Sequence, residues 1–150
     1  MKPIEIIQTA CVSETEACGA RLAEEMQRDA TLPPFVALYG DLGVGKTAFI
    51  RGFASVIAPG CAVRSPTFAL VNEYRAKPRA LFHFDMYRIE SEDDLYSIGF
   101  YDYLDRAGIC LVEWSENIPY ALPDEYIRVT IEKCDPNTPD RRTATVERMG

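Results

Sequence analysis

Residues 40–47 combine glycines, a lysine and a threonine in the pattern G-x-x-x-x-G-K-T. Glycines at these positions let backbone N–H groups turn toward a phosphate chain, and the N-terminus of a following helix favours negative charge. Lys46 can neutralise the outer phosphates, and Thr47 can offer its hydroxyl to Mg²⁺. The pattern predicts a nucleotide-phosphate site in which Lys46 also acts in catalysis. The predicted nucleotide contacts in the loop are Asp41, Leu42, Gly43, Val44, Gly45, Lys46 and Thr47.

Two acids stand where strands are predicted to end. Glu113 follows the apolar run 109–112 and is predicted to lie at the metal, directly or through water. Asp85 lies near the end of the alternating segment 80–87. A carboxylate that closes an apolar strand is unfavourable unless a metal ion or hydrogen bonds satisfy it, so both acids are predicted to be functional. Asp85 either positions or deprotonates the attacking water or completes the metal shell, and the sequence leaves these roles open.

Three further residues have a structural and a functional interpretation. His83 shares one face of its predicted strand with Asp85, and a lone histidine there is interpreted as a hydrogen-bonded scaffold residue rather than a catalyst. Thr67 follows a predicted helix, where phosphate-loop proteins carry a segment that senses the γ-phosphate. It either reaches phosphate or Mg²⁺ or simply begins a strand. Trp114, the only tryptophan, either packs in the core or shelters the site.

The remaining patterns predict the elements that position these residues. The apolar run 34–39 before the loop predicts a buried parallel strand, and a helix is predicted after the loop. Upstream, we expect a strand within 4–12 and a helix from Ser13, the N-cap of a capping box with Glu16, to about Arg28. Downstream, the sequence predicts an antiparallel hairpin of 67–75 and 80–87, helices from Ser91 and over 99–106, a buried strand over 109–114, and an edge hairpin of 126–133 and 142–147.

These elements predict one domain of the α/β class. The expected fold is that of a P-loop NTPase, three-layer α/β/α with a mixed, mostly parallel central sheet and antiparallel edge hairpins. In such open sheets, ligands lie at the carboxyl ends of the parallel strands, where Glu113 is expected.

Composition restricts the function classes. The net charge of −7 argues against an autonomous nucleic-acid binder and against an anionic-membrane binder, so any contact with RNA would need a partner. The five cysteines are spread out without a C-x-x-C pair, which indicates reduced thiols. No signal pattern and no apolar run near the roughly 18 residues of a membrane span is present, so a cytoplasmic protein is expected. Without an N-K-x-D motif, ATP with Mg²⁺ is expected rather than GTP.

Four segments occur together in an order and spacing that resemble the TsaE (YjeE) family, the bacterial P-loop ATPases of tRNA N6-threonylcarbamoyladenosine biosynthesis. They are GDLGVGKT at 40–47, SPTF at 65–68, HFDMYR at 83–88 and LVEW at 111–114. The resemblance covers nearly the whole chain, and Val44 replaces a commoner alanine at a position that contributes backbone.

The resemblance implies an accessory ATPase that acts with TsaB and TsaD in threonylcarbamoyl transfer to adenosine 37 of tRNAs reading ANN codons. It implies phosphate and Mg²⁺ binding by Lys46 and Thr47, metal binding at Glu113 and hydrolysis at Asp85. It also implies that Trp114 borders the nucleotide and that Thr15 lies near the nucleotide pocket. Contact with tRNA would fall mainly to the partners.

Two other function classes compete with this interpretation. In a small-molecule phosphotransferase, residues 60–74 would shape an acceptor pocket and Asp85 would take the acceptor's proton. In a nucleotide-gated binding module, the segment near Thr67 would change partner affinity without important turnover.

Overall fold

The structure is a computed structural model that describes residues 4–40, 45–64, 66 and 70–150. In this part of the chain, seven strands form one sheet, and helices pack on both of its faces. The elements are β1 (Ile4–Thr9), α1 (Val12–Arg28), β2 (Phe35–Tyr39), α2 (Lys46–Ile57), β3 (Val71–Tyr74), β4 (Ala80–Asp85), α3 (Glu92–Ser97), α4 (Phe100–Leu104), β5 (Gly108–Glu113), β6 (Tyr126–Asp135) and β7 (Thr138–Met149). Two 3₁₀ turns, Ser115–Asn117 and Pro119–Ala121, connect β5 to β6.

The strand order is β1-β7-β6-β2-β5-β4-β3. The four central strands, β6, β2, β5 and β4, are parallel, whereas β1, β7 and β3 run antiparallel to their neighbours. Every residue of β5 is buried, as expected for a strand in the middle of a parallel group. The predicted mixed α/β sheet is therefore confirmed.

Helices α1 and α2 cover one face of the sheet and approach each other closely at two glycines. A Cβ atom on Gly19 would meet the carbonyl oxygen of Phe49, and one on Gly52 would meet that of Glu16. Both neighbours are backbone atoms, which have little room to move. This contact places the N-terminal end of α2, which follows the predicted phosphate loop, beside α1.

The other face is covered by α3, α4 and the two 3₁₀ turns, through an aromatic cluster. Phe84 is fully buried and packs edge-to-face with Phe100 and Tyr103, at ring-centroid distances of 5.3 and 5.2 Å. Such pairs add roughly 0.5–1.5 kcal/mol each beyond the area that they bury. They fix β4, and with it the position of Asp85 at the end of that strand.

Two sequence predictions, one about the outer part of the sheet and one about the start of α1, were wrong. The β6–β7 hairpin lies inside the sheet rather than at its edge, because β6 pairs with β2 and β1 covers β7. The first strand, Ile4–Thr9, lies within its predicted range, but Cys11 rather than Ser13 is the N-cap of α1. Glu14, in the first turn of the helix, accepts a hydrogen bond at 3.3 Å from the N–H of Ala10, the residue before this N-cap.

Other predicted elements are confirmed. Helix α1 ends at Arg28, and Ser91 caps α3 by accepting a hydrogen bond from the N–H of Asp94. Strands β3 and β4 form the predicted antiparallel hairpin, although its first predicted residues, 67–69, lie outside the described part. All five cysteines, each within the described ranges, are free thiols. None of the described helices combines the length and the apolar character that crossing a membrane requires.

The close contact between α1 and α2 yields a stability prediction. Gly→Ala in a helix interior normally gains roughly 0.5–1 kcal/mol, but Gly19→Ala and Gly52→Ala should each destabilise the protein by about 1–3 kcal/mol because the methyl group meets backbone. Urea unfolding measures the change. Glu24→Ala, on the exposed side of α1, is the control and should shift stability by less than about 0.5 kcal/mol. Wild-type stability in both glycine variants would contradict the close approach of the two helices.

Candidate active site

The carboxyl ends of β2, β4 and β5 meet at one edge of the sheet. Asp85 and Glu113 are direct neighbours in the parallel register of β4 and β5. The N–H of Met86 donates to the carbonyl of Glu113 at 3.1 Å, which continues the pairing past the end of β4. The register therefore brings together the two acids that the sequence singled out, although they are distant from each other along the chain.

Lys46, the first residue of α2, is buried at this edge. Its Nζ donates to the carbonyl of Gly40 at 2.7 Å and lies 4.3 Å from the centroid of the Trp114 ring. Gly45 turns the chain into α2 with φ 103°, a conformation that favours glycine. The ammonium group is thus held at the mouth of the loop, where the predicted phosphates would bind.

Trp114 packs against the core and also contacts Lys46. Its backbone is left-handed, with φ 57° and ψ 42°, which is uncommon for a residue other than glycine. The ring lies against Tyr87, with 5.0 Å between the ring centroids, and against the Lys46 ammonium. Asn117 ties this turn to the chain after β4 by donating from Nδ2 to the carbonyl of Met86 at 2.9 Å.

Glu113 is buried and hydrogen-bonded. Its Oε2 lies 2.7 Å from Nε2 of His83, a side chain that is itself almost fully buried. His83 is thus hydrogen-bonded within the fold, as its scaffold interpretation required, but its partner is one of the candidate metal ligands.

Asp85 is half-buried, and the N–H of Tyr87 donates to its Oδ1 at 3.0 Å. Burial raises the pKa of Asp85 above its ordinary value; the Tyr87 hydrogen bond opposes this change, and the nearby charge of Glu113 adds to it. His83 and Lys46 lower the pKa through smaller electrostatic effects. A carboxylate with a raised pKa is a stronger proton acceptor, which suits a group that takes a proton from water.

A cavity of about 150 Å³ adjoins the N-terminal end of α2. Thr15 lies on its wall and is buried, with its Oγ1 2.8 Å from Oγ1 of Thr9. The cavity is lined by Val12, Thr15, Gly45, Ala48, Asp140 and Arg142. Thr15, although distant in sequence from the loop, therefore lies beside Gly45.

The comparisons with known proteins identify the family of this chain. The family model described as "Threonylcarbamoyl adenosine biosynthesis protein TsaE" matches residues 9–143. This chain belongs to the TsaE family. The tRNA threonylcarbamoyladenosine biosynthesis protein TsaE of Haemophilus influenzae is 42% identical over 100 residues, 67% of this chain and 63% of that relative. The TsaE protein of Bacillus subtilis is 37% identical over 115 residues, 77% of this chain and 70% of that relative.

A solved structure supports the same fold for this TsaE family member. The crystal structure of Bacillus subtilis YdiB matches with a TM-score of 0.75 at 30% identity, and the match covers 100% of this chain and 88% of that chain. Together with the α/β sheet and the helices on both faces, this likeness confirms the predicted P-loop NTPase fold class.

The oxygen donors at the sheet edge fit Mg²⁺. Within residues 4–40, 45–64, 66 and 70–150, no three His, Cys, Asp or Glu side chains come together as a metal cage. Mg²⁺ does not require one, because it keeps several waters and is commonly held by one or two carboxylates plus substrate phosphates. Glu113, Asp85 and the exposed Thr47 at the start of α2 are donors of this kind.

Some predicted contacts lie outside the described residues, namely Asp41, Leu42, Gly43, Val44 and Thr67. Conversely, Asp140 and Arg142 join the cavity beside Gly45 but were not predicted. They belong to β7, and their surroundings in the sequence carry no motif. Only the pairing of β7 with β1 and β6 brings them to α2.

The raised pKa of Asp85 yields a prediction of stability against pH. The folded state holds this proton more tightly than the unfolded chain, so ionisation of Asp85 destabilises the fold as the pH rises through its pKa. Asp85→Asn keeps an oxygen for the Tyr87 N–H and removes the charge. In EDTA at pH 7 it should raise the unfolding temperature by roughly 1–4 °C, since solvent screens a half-buried group and a gain of about 0.5–1 kcal/mol is expected.

The difference in unfolding temperature between Asp85→Asn and the wild type should shrink as the pH is lowered toward 3.8, the ordinary pKa of an aspartate, because Asp85 of the wild type is then also protonated. Thermal unfolding at a series of pH values measures the difference. Asp124→Asn, at an exposed position, is the control for replacing an aspartate. An Asp85→Asn protein that unfolds below the wild-type temperature at pH 7 would contradict the assigned environment.

Proposed function

We propose that this protein binds ATP with Mg²⁺ and hydrolyses it as an accessory ATPase in forming the threonylcarbamoyl group on adenosine 37 of tRNAs reading ANN codons. It would act in the cytoplasm with TsaB and TsaD. The pathway is supported by the family match and by the relatives named for tRNA threonylcarbamoyladenosine biosynthesis. The observation that carries the chemistry is the meeting of Lys46, Asp85 and Glu113 at one edge of the sheet.

In this proposal, the loop and the start of α2 hold the phosphates. Lys46 exchanges the Gly40 carbonyl for phosphate oxygens, a charge-assisted contact that is stronger than a hydrogen bond to a neutral carbonyl. The adenine base of ATP would occupy the cavity that is lined by Thr15, Ala48 and Gly45. Bound Mg²⁺, held by Thr47 and Glu113, would neutralise charge on the phosphates.

Hydrolysis then requires a water directed at the γ-phosphorus. Asp85 is assigned to orient this water and accept its proton while the bond from the γ-phosphorus to the bridging oxygen breaks. Its raised pKa and its fixed orientation toward the Tyr87 N–H support this role over that of a metal ligand. The products are ADP and inorganic phosphate.

The acidic chain supports a division of labour with the partners. A net charge of −7 disfavours direct binding to the phosphate backbone of tRNA. Contact with tRNA is therefore assigned to the TsaB and TsaD type proteins, and strong ATPase activity is expected only in their company.

Lys46→Ala tests this function. With TsaB and TsaD present, it should lower phosphate release by about 10²-fold or more, because it removes a preorganised cation from the developing charge, and it should abolish repeated modification of tRNA. Lys77→Ala, which removes an exposed lysine from the β3–β4 turn, is the matched control and should behave as the wild type. Phosphate release and tRNA modification are measured together.

Two outcomes would overturn the proposal. One is a wild-type protein that releases no phosphate with its partners while Lys46→Ala supports modification normally. The other is production of ADP with a phosphorylated small molecule in place of inorganic phosphate, which would identify a phosphotransferase.

Trp114 provides a direct test of nucleotide binding. It is the only tryptophan, and its ring contacts the Lys46 ammonium. Moving this ammonium to phosphate should change the indole emission when ATP or ADP is added with Mg²⁺. In Lys46→Met, the emission without nucleotide should already differ from that of the wild type, and the response to nucleotide should be lost or reduced. An identical titration of both proteins would contradict the assigned contact.

A further inference from the structure

The contact between His83 and Glu113 joins two almost fully buried polar side chains. The side chain of His83 is 2% exposed and that of Glu113 is 12% exposed, and 2.7 Å separates His83 Nε2 from Glu113 Oε2. His83 lies in β4 opposite Leu111, two residues before Glu113 in the neighbouring strand. The imidazole therefore reaches along the sheet toward the active-site edge.

The chemistry of the two groups assigns the proton. An ionised carboxylate can only accept hydrogen bonds, so Nε2 of His83 must carry hydrogen and donate to Glu113. Among the described residues, His83 Nδ1 is the buried side-chain nitrogen or oxygen atom without a hydrogen-bond partner. Placing a second hydrogen on Nδ1 would bury an unsatisfied donor, so we assign the Nε2–H tautomer.

Fully buried leucines adjoin His83 on two sides, whereas Asn72 pairs with it from β3 and Asp85 follows it on the same face of β4. The residue before His83 on this face, Leu81, is fully buried, and Leu111 beside His83 in β5 is also fully buried. A leucine or methionine at position 83 would leave no unpartnered nitrogen in this core. What a histidine provides here, and an apolar residue would not, is the single hydrogen bond that it donates to Glu113.

We propose that His83 is a positioning residue that orients the Glu113 carboxylate toward Mg²⁺. The inference rests on the proposed ATP-Mg function. A glutamate side chain has several rotatable bonds, and the hydrogen bond to His83 holds one of its two oxygens in place. The other oxygen is left for Mg²⁺ or a water bound to it. Groups that fix a metal ligand in this way typically change metal affinity by about 10–100-fold when removed.

Two variants of equal length separate this role from packing. The amide nitrogen of His83→Gln can take the place of Nε2 and still donate to Glu113, whereas His83→Met has similar length and no donor. Each full-length protein is first checked by thermal unfolding. Binding of Mn²⁺ in the presence of saturating ADP is then measured from the paramagnetic resonance signal of free Mn²⁺, and binding of ADP is measured separately in EDTA.

His83→Met should weaken Mn²⁺ binding by about 10–100-fold and leave the affinity for ADP in EDTA unchanged. His83→Gln should bind Mn²⁺ with an affinity near that of the wild type. If His83→Met does not fold, His83→Asn takes its place, because its amide nitrogen falls near the position of Nδ1, too short to reach Glu113, and the same loss is expected.

A folded His83→Met protein that binds Mn²⁺ as tightly as the wild type would overturn the inference and leave the proposed function intact. Equal losses in the methionine and glutamine variants would also overturn it, because the donor would then make no difference. If the wild type bound neither ADP in EDTA nor Mn²⁺ with ADP, the proposed function would fail and the inference with it.

Discussion

Two carboxylates lie side by side at the ends of β4 and β5, and the site depends on keeping them there. Asp85 and Glu113 are adjacent in the register, and burial together with the charge of Glu113 raises the pKa of Asp85. Neighbouring like charges repel each other, so the fold must supply donors and cations to hold both carboxylates. It supplies a different donor to each acid: the imidazole of His83 to Glu113 and the backbone N–H of Tyr87 to Asp85. Lys46 provides a positive charge that lowers the pKa of Asp85.

Lys46 is held by partners that a phosphate can replace. The Gly40 carbonyl and the Trp114 ring orient the ammonium, but neither carries a full negative charge. Phosphate oxygens would replace these neutral partners with charged ones. The structure therefore orients the Lys46 ammonium without preventing it from contacting a phosphate. The left-handed backbone of Trp114 is sustained by surrounding hydrogen bonds, including that of Ser115 Oγ to the carbonyl of Val112 at 2.8 Å.

The two cores position the opposite sides of this site. Contact at Gly19 and Gly52 sets α2 against α1, and so places Gly45 beside Thr15. On the other face, the rings around Phe84 fix β4. Small changes in either core would therefore alter the distance between the cation of α2 and the acids of the sheet. Stability and the geometry of the candidate site are linked through this packing, since well-packed cores transmit strain rather than absorb it.

Local sequence determined the phosphate-loop pattern, the end of α1, the cap at Ser91, the buried strand β5 and the two acids, because periodicity, capping and strand ends are properties of neighbouring residues. Tertiary structure alone decided that β1 lies outside β7, that His83 donates to Glu113, and that Asp140 and Arg142 join Thr15. An alternating strand pattern gives the face that each side chain occupies but not which strand lies beside it. Strand order and the contacts that follow from it depend on pairing between distant segments, so they appear only when the whole sheet is assembled.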